Sequence, residues 1–128
     1  MTSSWNMTTL TNLRDKEIFS SDGEKVGSVK DIYYDDTSGE PEWIGVGTGF
    51  LGMKERLVPV EKLSNEGDHL RVPFTKEKIA KEPDFHTEGD IIPERDELML
   101  CSYFGLTSQQ GHSTRVLRYG QEYTGRNL

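Results

Sequence analysis

The chain has 128 residues, 33% of them hydrophobic, with a formal net charge of -7 and a mean hydropathy of -0.68. That size and polarity predict one small domain with a modest core and polar ends, and the acidic balance works against broad binding to phosphate backbones. No run of about 18 apolar residues is present to span a membrane, and the single cysteine, Cys101, rules out an intrachain disulfide and points to a reducing, cytoplasmic setting.

Residues 1–14 are rich in Ser, Thr and Asn without a period and are expected to form a mobile tail. They lack a basic segment followed by an apolar one, so no leader peptide is expected. A short strand is predicted around Ile18 and Phe19, then a turn at Ser21-Asp22-Gly23-Glu24 with Gly23 at the position that tolerates positive φ. Lys25 to Tyr34 reads as the next strand. Its apolar residues Val26, Val29 and Ile32 are three apart, so a bulge or a sharp coil is needed to bring them to one side. Asp35 to Gly39 is a hairpin loop.

Trp43 to Phe50 is predicted as the third strand, with Ile44, Val46, Thr48 and Phe50 on one face and Gly45, Gly47 and Gly49 on the other. A face of glycines lets a strand bend strongly or lets another backbone come close. Arg56 to Val60 is the fourth strand. Pro59 has no backbone donor, so that strand belongs at an edge or a corner. A turn at Asn65-Glu66-Gly67-Asp68 precedes a last strand around Leu70 and Val72. These strands predict a mainly β fold, a small and strongly bent barrel, with Ile18, Val26, Val29, Ile32, Ile44, Val46, Leu57, Val58 and Leu70 in its core.

Helical signals come only afterwards. Thr75 suits the N-cap of a turn from Lys76 to Lys81 that Pro83 stops. Pro93 suits a first helical position, with Glu94, Asp96 and Glu97 near the positive end of the dipole. Leu98 with Cys101, and Leu100 with Phe104, fall at helical spacings, and Gly105 suits the C-terminal cap. Beyond it the chain is polar and carries a net charge of +2, with one apolar patch at Val116, Leu117 and Tyr119. The expected organisation is a tail over 1–14, a barrel domain over 15–83, a helical extension over 84–105 and a polar tail over 106–128.

No motif assigns catalytic chemistry. Gly47-Thr48-Gly49-Phe50-Leu51-Gly52 matches G-x-G-x-x-G after a strand, but dinucleotide binding needs a helix at the loop, and Arg56-Leu57-Val58-Pro59 reads as strand. Asp35-Asp36-Thr37-Ser38-Gly39-Glu40 lacks the alternating ligands and distal glutamate of a calcium loop and reads as a solvated hairpin. His69, His86 and His112 have no ligand spacing, and Cys101 reads as a packed thiol on an apolar helix face. An enzyme is therefore not expected, and no catalytic residue, cofactor or metal is assigned.

An ordered set of short motifs resembles a known family. Gly23 to Ile32, the Asp35 to Gly39 loop, Trp43-Ile44-Gly45-Val46, Arg56-Leu57-Val58-Pro59-Val60 and the turn after Leu63 together look like a PRC-barrel domain, over about residues 15–83. That family includes the cytoplasmic domain of the photosynthetic reaction-centre H subunit and the C-terminal domain of a bacterial ribosome-maturation factor. It also includes stand-alone bacterial and archaeal proteins. The resemblance implies a strongly bent barrel that serves as a docking module, with no common catalytic residues to carry over. The segment Tyr103-Phe104-Gly105-Leu106 is similar to the tail helix of the stand-alone members.

Two functions are expected from this reading. The first is a non-catalytic docking or assembly module that associates with itself or another protein. The second is a ribosome-associated or RNA-processing accessory factor, which the acidic charge works against. Phe50, Leu51 and Met53 in the glycine-rich loop, and Leu98 and Phe104 on the helix, are the candidate partner-binding residues.

Overall fold

The computed structural model describes residues 12–35, 39–49, 54–87, 91–106 and the backbone of 116–118. Four strands follow one another as an antiparallel meander: β1 (Glu17–Phe19), β2 (Lys25–Asp35), β3 (Pro41–Thr48) and β4 (Lys54–Pro59). A 3-10 turn at Val60–Lys62 leads into β5 (Ser64–Asn65) and β6 (Leu70–Arg71). β6 returns to lie parallel to β1, giving the order β4-β3-β2-β1-β6-β5. The sheet curls strongly without closing, since no pairing joins β4 to β5 among the described residues. This is the mainly β, bent barrel-like fold that the strand pattern predicts.

The long strand β2 organises the rest. Its register explains the odd spacing of its apolar residues. Ile18 faces Gly27 and Phe19 faces Lys25, which leaves Val26 as an extra residue. Val29 faces Val46 and Asp31 faces Gly45, which leaves Lys30 as a second. Each bulge flips the side-chain alternation once, so Val26, Val29 and Ile32 all reach one core. The bend brings backbones close: a Cβ at Gly27 would lie 2.0 Å from the carbonyl oxygen of Gly47.

The meander is buried on both faces. Ile32, Tyr34, Ile44, Val46 and Val58 point into the barrel, together with Ile18, Val29, Leu70 and Ile79. Tyr33, Trp43 and Leu57, each adjacent in sequence to one of these, point the other way into a second core. Leu57 was expected inside the barrel with Val58, but neighbouring residues of a strand face opposite sides, and Leu57 belongs to the outer core. All nine predicted core residues are buried. Each such side chain stabilises the fold by about 1.5–3 kcal/mol.

Two helices complete the unit. α1 (Lys76–Ala80) is capped by Thr75, whose side chain accepts a hydrogen bond from the Lys78 backbone N–H at 3.0 Å, and it packs Ile79 into the barrel. α2 (Glu94–Phe104) covers the outer core with Leu100, Cys101 and Phe104. Pro93 is its N-cap rather than its first helical residue, with an extended ψ of 149°. Gly105 ends it at φ 68°, in the left-handed region that a glycine adopts without cost.

The edge of β2 opposite β3 is shared by β1 at one end and by β8 (Val116–Arg118) at the other. β8 also pairs with β7 (Ile91–Ile92). The segment 106–128, expected to be a polar tail, thus returns one strand to the sheet.

Candidate partner-binding surface

Leu98, Met99, Leu100 and Cys101 are four consecutive apolar residues on α2. At about 100° per residue they span roughly 300° of the helix surface, so one face cannot bury them all. The buried stripe is Glu97, Leu100, Cys101 and Phe104, at the i, i+3, i+4, i+7 spacing of a face seated on a sheet. Phe104 is 5% exposed, with ring centroids 4.8 Å from Phe74 and 6.3 Å from Trp43. Phe104 was expected at a partner surface; its side chain instead faces the chain's own outer core.

Leu98 and Met99 lie on the other side, 44% and 43% exposed. They line a shallow apolar groove with Pro83, Glu94, Arg95, Ser102 and Tyr103. The groove wall is fixed at its base. The Tyr103 hydroxyl donates to the Lys78 carbonyl at 2.6 Å, and the Lys78 ammonium sits 4.5 Å from the centre of the Tyr103 ring. This ties α2 to α1 and holds Tyr103 at the groove edge. Of the candidate residues, Leu98 is here, while Phe50, Leu51 and Met53 lie outside the described residues. Met99, Pro83 and Tyr103 were missed. The run of four apolar residues was the available signal, because it obliges two of them to face outward.

Beneath α2 the seat is acidic. Glu97 is 3% exposed and accepts a hydrogen bond from Trp43 Nε1 at 3.4 Å. Burial first, then the neighbouring Glu97, raise the Glu42 carboxyl from its ordinary 4.5 to about 8. A small cavity of about 70 Å³ opens here, lined by Glu42, Trp43, Glu61, Cys101 and Leu106 among others. Burial, then Glu97 and Glu42, push the Cys101 thiol up to about 12, so it stays protonated and inert. Glu97 had been read only as a favourable charge at the helix start, yet its spacing to Cys101 and Phe104 places it on the buried stripe. Nearby, Glu82 is 3% exposed; its Oε2 accepts from the Leu57 backbone N–H at 2.7 Å.

Other sequence candidates stay apart. His69 lies in the β5–β6 turn with Asp68 and Glu66, and His86 pairs with Asp96. Among the described residues no group of three or more His, Cys, Asp or Glu side chains is placed to hold a metal ion. No helix of the described residues is long and apolar enough to cross a membrane.

No curated protein matches the chain. A family model does, that of the PRC-barrel domain, over residues 6–79, more than half of the 128 residues. The bulged meander, the parallel return of β6 and this match agree, and the chain belongs to the PRC-barrel domain family.

Proposed function

We propose that this protein is a non-catalytic docking module that pairs with a second copy of itself through the outer face of α2. The observation that carries the reading is the exposure of Leu98 and Met99 beside Pro83 and Tyr103, on a helix whose opposite face is already covered. Large apolar side chains side by side on an otherwise polar chain mark a surface that gains from burial. Identical chains favour closed two-fold pairs, in which the same groove meets itself. In such a pair Glu94 of one copy and Arg95 of the other are available as a complementary rim.

The acidic body supports a protein partner over RNA, whose phosphates it would repel. A reducing, cytoplasmic setting is part of the reading, supported by one buried free cysteine. The test is sedimentation at micromolar concentration of the wild type and of Leu98→Glu with Met99→Glu. A wild-type dimer and a variant monomer of equal melting temperature support the reading. A wild type that stays monomeric across the concentration range removes it.

A further inference from the structure

The pairing of β4 with β3 has no bulge, so Lys54, Arg56 and Val58 fall on one side of the strand. Val58 lies in the barrel core, which turns Arg56 and Lys54 toward the same interior, nearer its rim. Arg56 is only 8% exposed, although a charged residue is almost never buried without a partner. Its Nη1 donates to Asp84 Oδ1 at 3.1 Å. A guanidinium carries five N–H donors, so this one partner leaves others to a further acceptor. Opposite β4, α1 contributes Lys76 and Ala80, and the core residues Val26 and Ile79 line the space between. The result is a cavity of about 190 Å³ with an apolar wall and three cations. We propose that this cavity binds a small organic acid, its carboxylate held by Lys54, Arg56 and Lys76 and its apolar body seated against Val26, Ile79 and Ala80.

Charge selects the head of the ligand. Three cations from two elements meet at one opening in a chain whose net charge is -7. Two carboxylates stand near them: Asp84, whose side chain is 91% exposed, and Asp22 beside Lys76. Neither lines the cavity, and two acids against three bases leave the opening positive. A planar guanidinium matches the two oxygens of a carboxylate, while the exposed lysines add an attraction that salt screens. Size selects the body. An apolar cavity of about 150 Å³ holds one benzene, so this one takes a single ring or a short branched chain. Apolar walls with a few placed polar groups are the usual make-up of a small-molecule site.

The cavity shares no lining residue with the Leu98–Met99 groove, so the site does not depend on whether the chain pairs with itself. A ligand held between β4 and α1 binds only the folded chain and stabilises it in proportion to occupancy.

Titration of the full chain with benzoate, followed by amide chemical shifts, tests it. Saturable shifts are expected at Val26, Arg56 and Ile79, with a dissociation constant of about 1 mM or tighter. Benzamide has the same ring without the charge and should bind about tenfold more weakly. Inorganic phosphate has the charge without the ring and should also bind about tenfold more weakly. Lys54→Gln with Lys76→Gln, both at exposed positions, should weaken benzoate about threefold or more. Ala80→Leu keeps every charge, fills the cavity from an exposed helix position and should abolish the shifts. Arg56→Gln should do the same by removing the fork; if it fails to fold, the two surface variants still decide. A folded wild type with no saturable shift at about 10 mM benzoate overturns the site. Equal affinity for benzamide or phosphate, or unchanged benzoate binding in Ala80→Leu or in the double lysine variant, overturns it as well.

Discussion

The Leu57 backbone N–H donates to Glu82 Oε2 at 2.7 Å, so a side chain, not another strand, takes this donor on the terminal strand of the sheet. Covering an edge in this way blocks its pairing with other chains. The second carboxyl oxygen of Glu82 is buried and has no hydrogen-bond partner, which favours the neutral acid.

Burial raises Glu82 from its ordinary 4.5 to about 8, against the smaller opposing pull of the Leu57 N–H and Arg56. The folded state therefore holds a proton that the unfolded chain has lost between those values. The associated stability is complete below pH 4.5 and is lost as pH rises to 8, on the order of 5 kcal/mol. Asp22 shifts downward through the Ser20 hydroxyl, and Glu66, Asp68 and Glu77 through Arg71, His69 and Lys81, and their contribution is lost only as pH falls below their ordinary range. Glu82→Gln keeps an acceptor for Leu57 and cannot ionise. Urea unfolding at pH 5, 6.5, 8 and 9 should show the variant gaining on the wild type up to pH 8 and no further. A constant difference across that series would mean the carboxyl is not neutral in the fold.

Gly27 and Gly45 should respond differently to the same substitution. At Gly27 the new Cβ meets the backbone oxygen of Gly47, which cannot move without distorting β3. Gly27→Ala should cost ~3 kcal/mol or more. At Gly45 the Cβ meets the Glu55 carboxylate at 1.9 Å, the far end of a flexible side chain. That carboxylate can swing aside at the loss of its 3.3 Å hydrogen bond from the Tyr33 hydroxyl. Gly45→Ala should cost ~1 kcal/mol. Equal melting temperatures for the two variants would refute the close approach at Gly27.

Cys101 should be silent to thiol reagents while the chain is folded. It is buried, and its thiol is pushed up far above neutral pH. Ellman's reagent at pH 7 should label it only when urea unfolds the chain. Labelling in the native state at the rate of the unfolded state would place the thiol at the surface.

What was legible in the sequence is what local chemistry decides. Gly23 and Gly105 sit at φ 83° and 68°, as their turn and cap positions require, and Thr75 caps α1. The odd spacing of Val26, Val29 and Ile32 called for a bulge or a sharp coil, because plain alternation cannot bring all three to one side, and the strand uses bulges. Pro59 lies on the terminal strand, where its missing donor leaves no gap in the ladder. The rest depended on distant partners. β8 is three residues long and pairs with Tyr33–Asp35 more than 80 positions away, so its apolar patch carried no address. Glu97 is an unremarkable acid in sequence and meets the Trp43 indole only once α2 lies on β3. Phe104 and Leu98 share a helix, and helical spacing alone did not say which one the outer core would take.

That last division can be measured. Phe104 fills the space between Trp43 and Phe74, whereas Leu98 contributes to a groove open to solvent. Phe104→Ala leaves a cavity in the outer core and should cost ~3 kcal/mol or more. Leu98→Ala removes half-exposed surface and gains helix propensity, so its effect on stability should stay within about 0.5 kcal/mol. Its effect on self-association should be the larger one, because the side chain it removes lies on the docking face. Thermal melts followed by circular dichroism give the first comparison, and sedimentation gives the second. If Leu98→Ala lowers the melting temperature as far as Phe104→Ala does in dilute monomer, then Leu98 is a core residue and the groove is not a free surface.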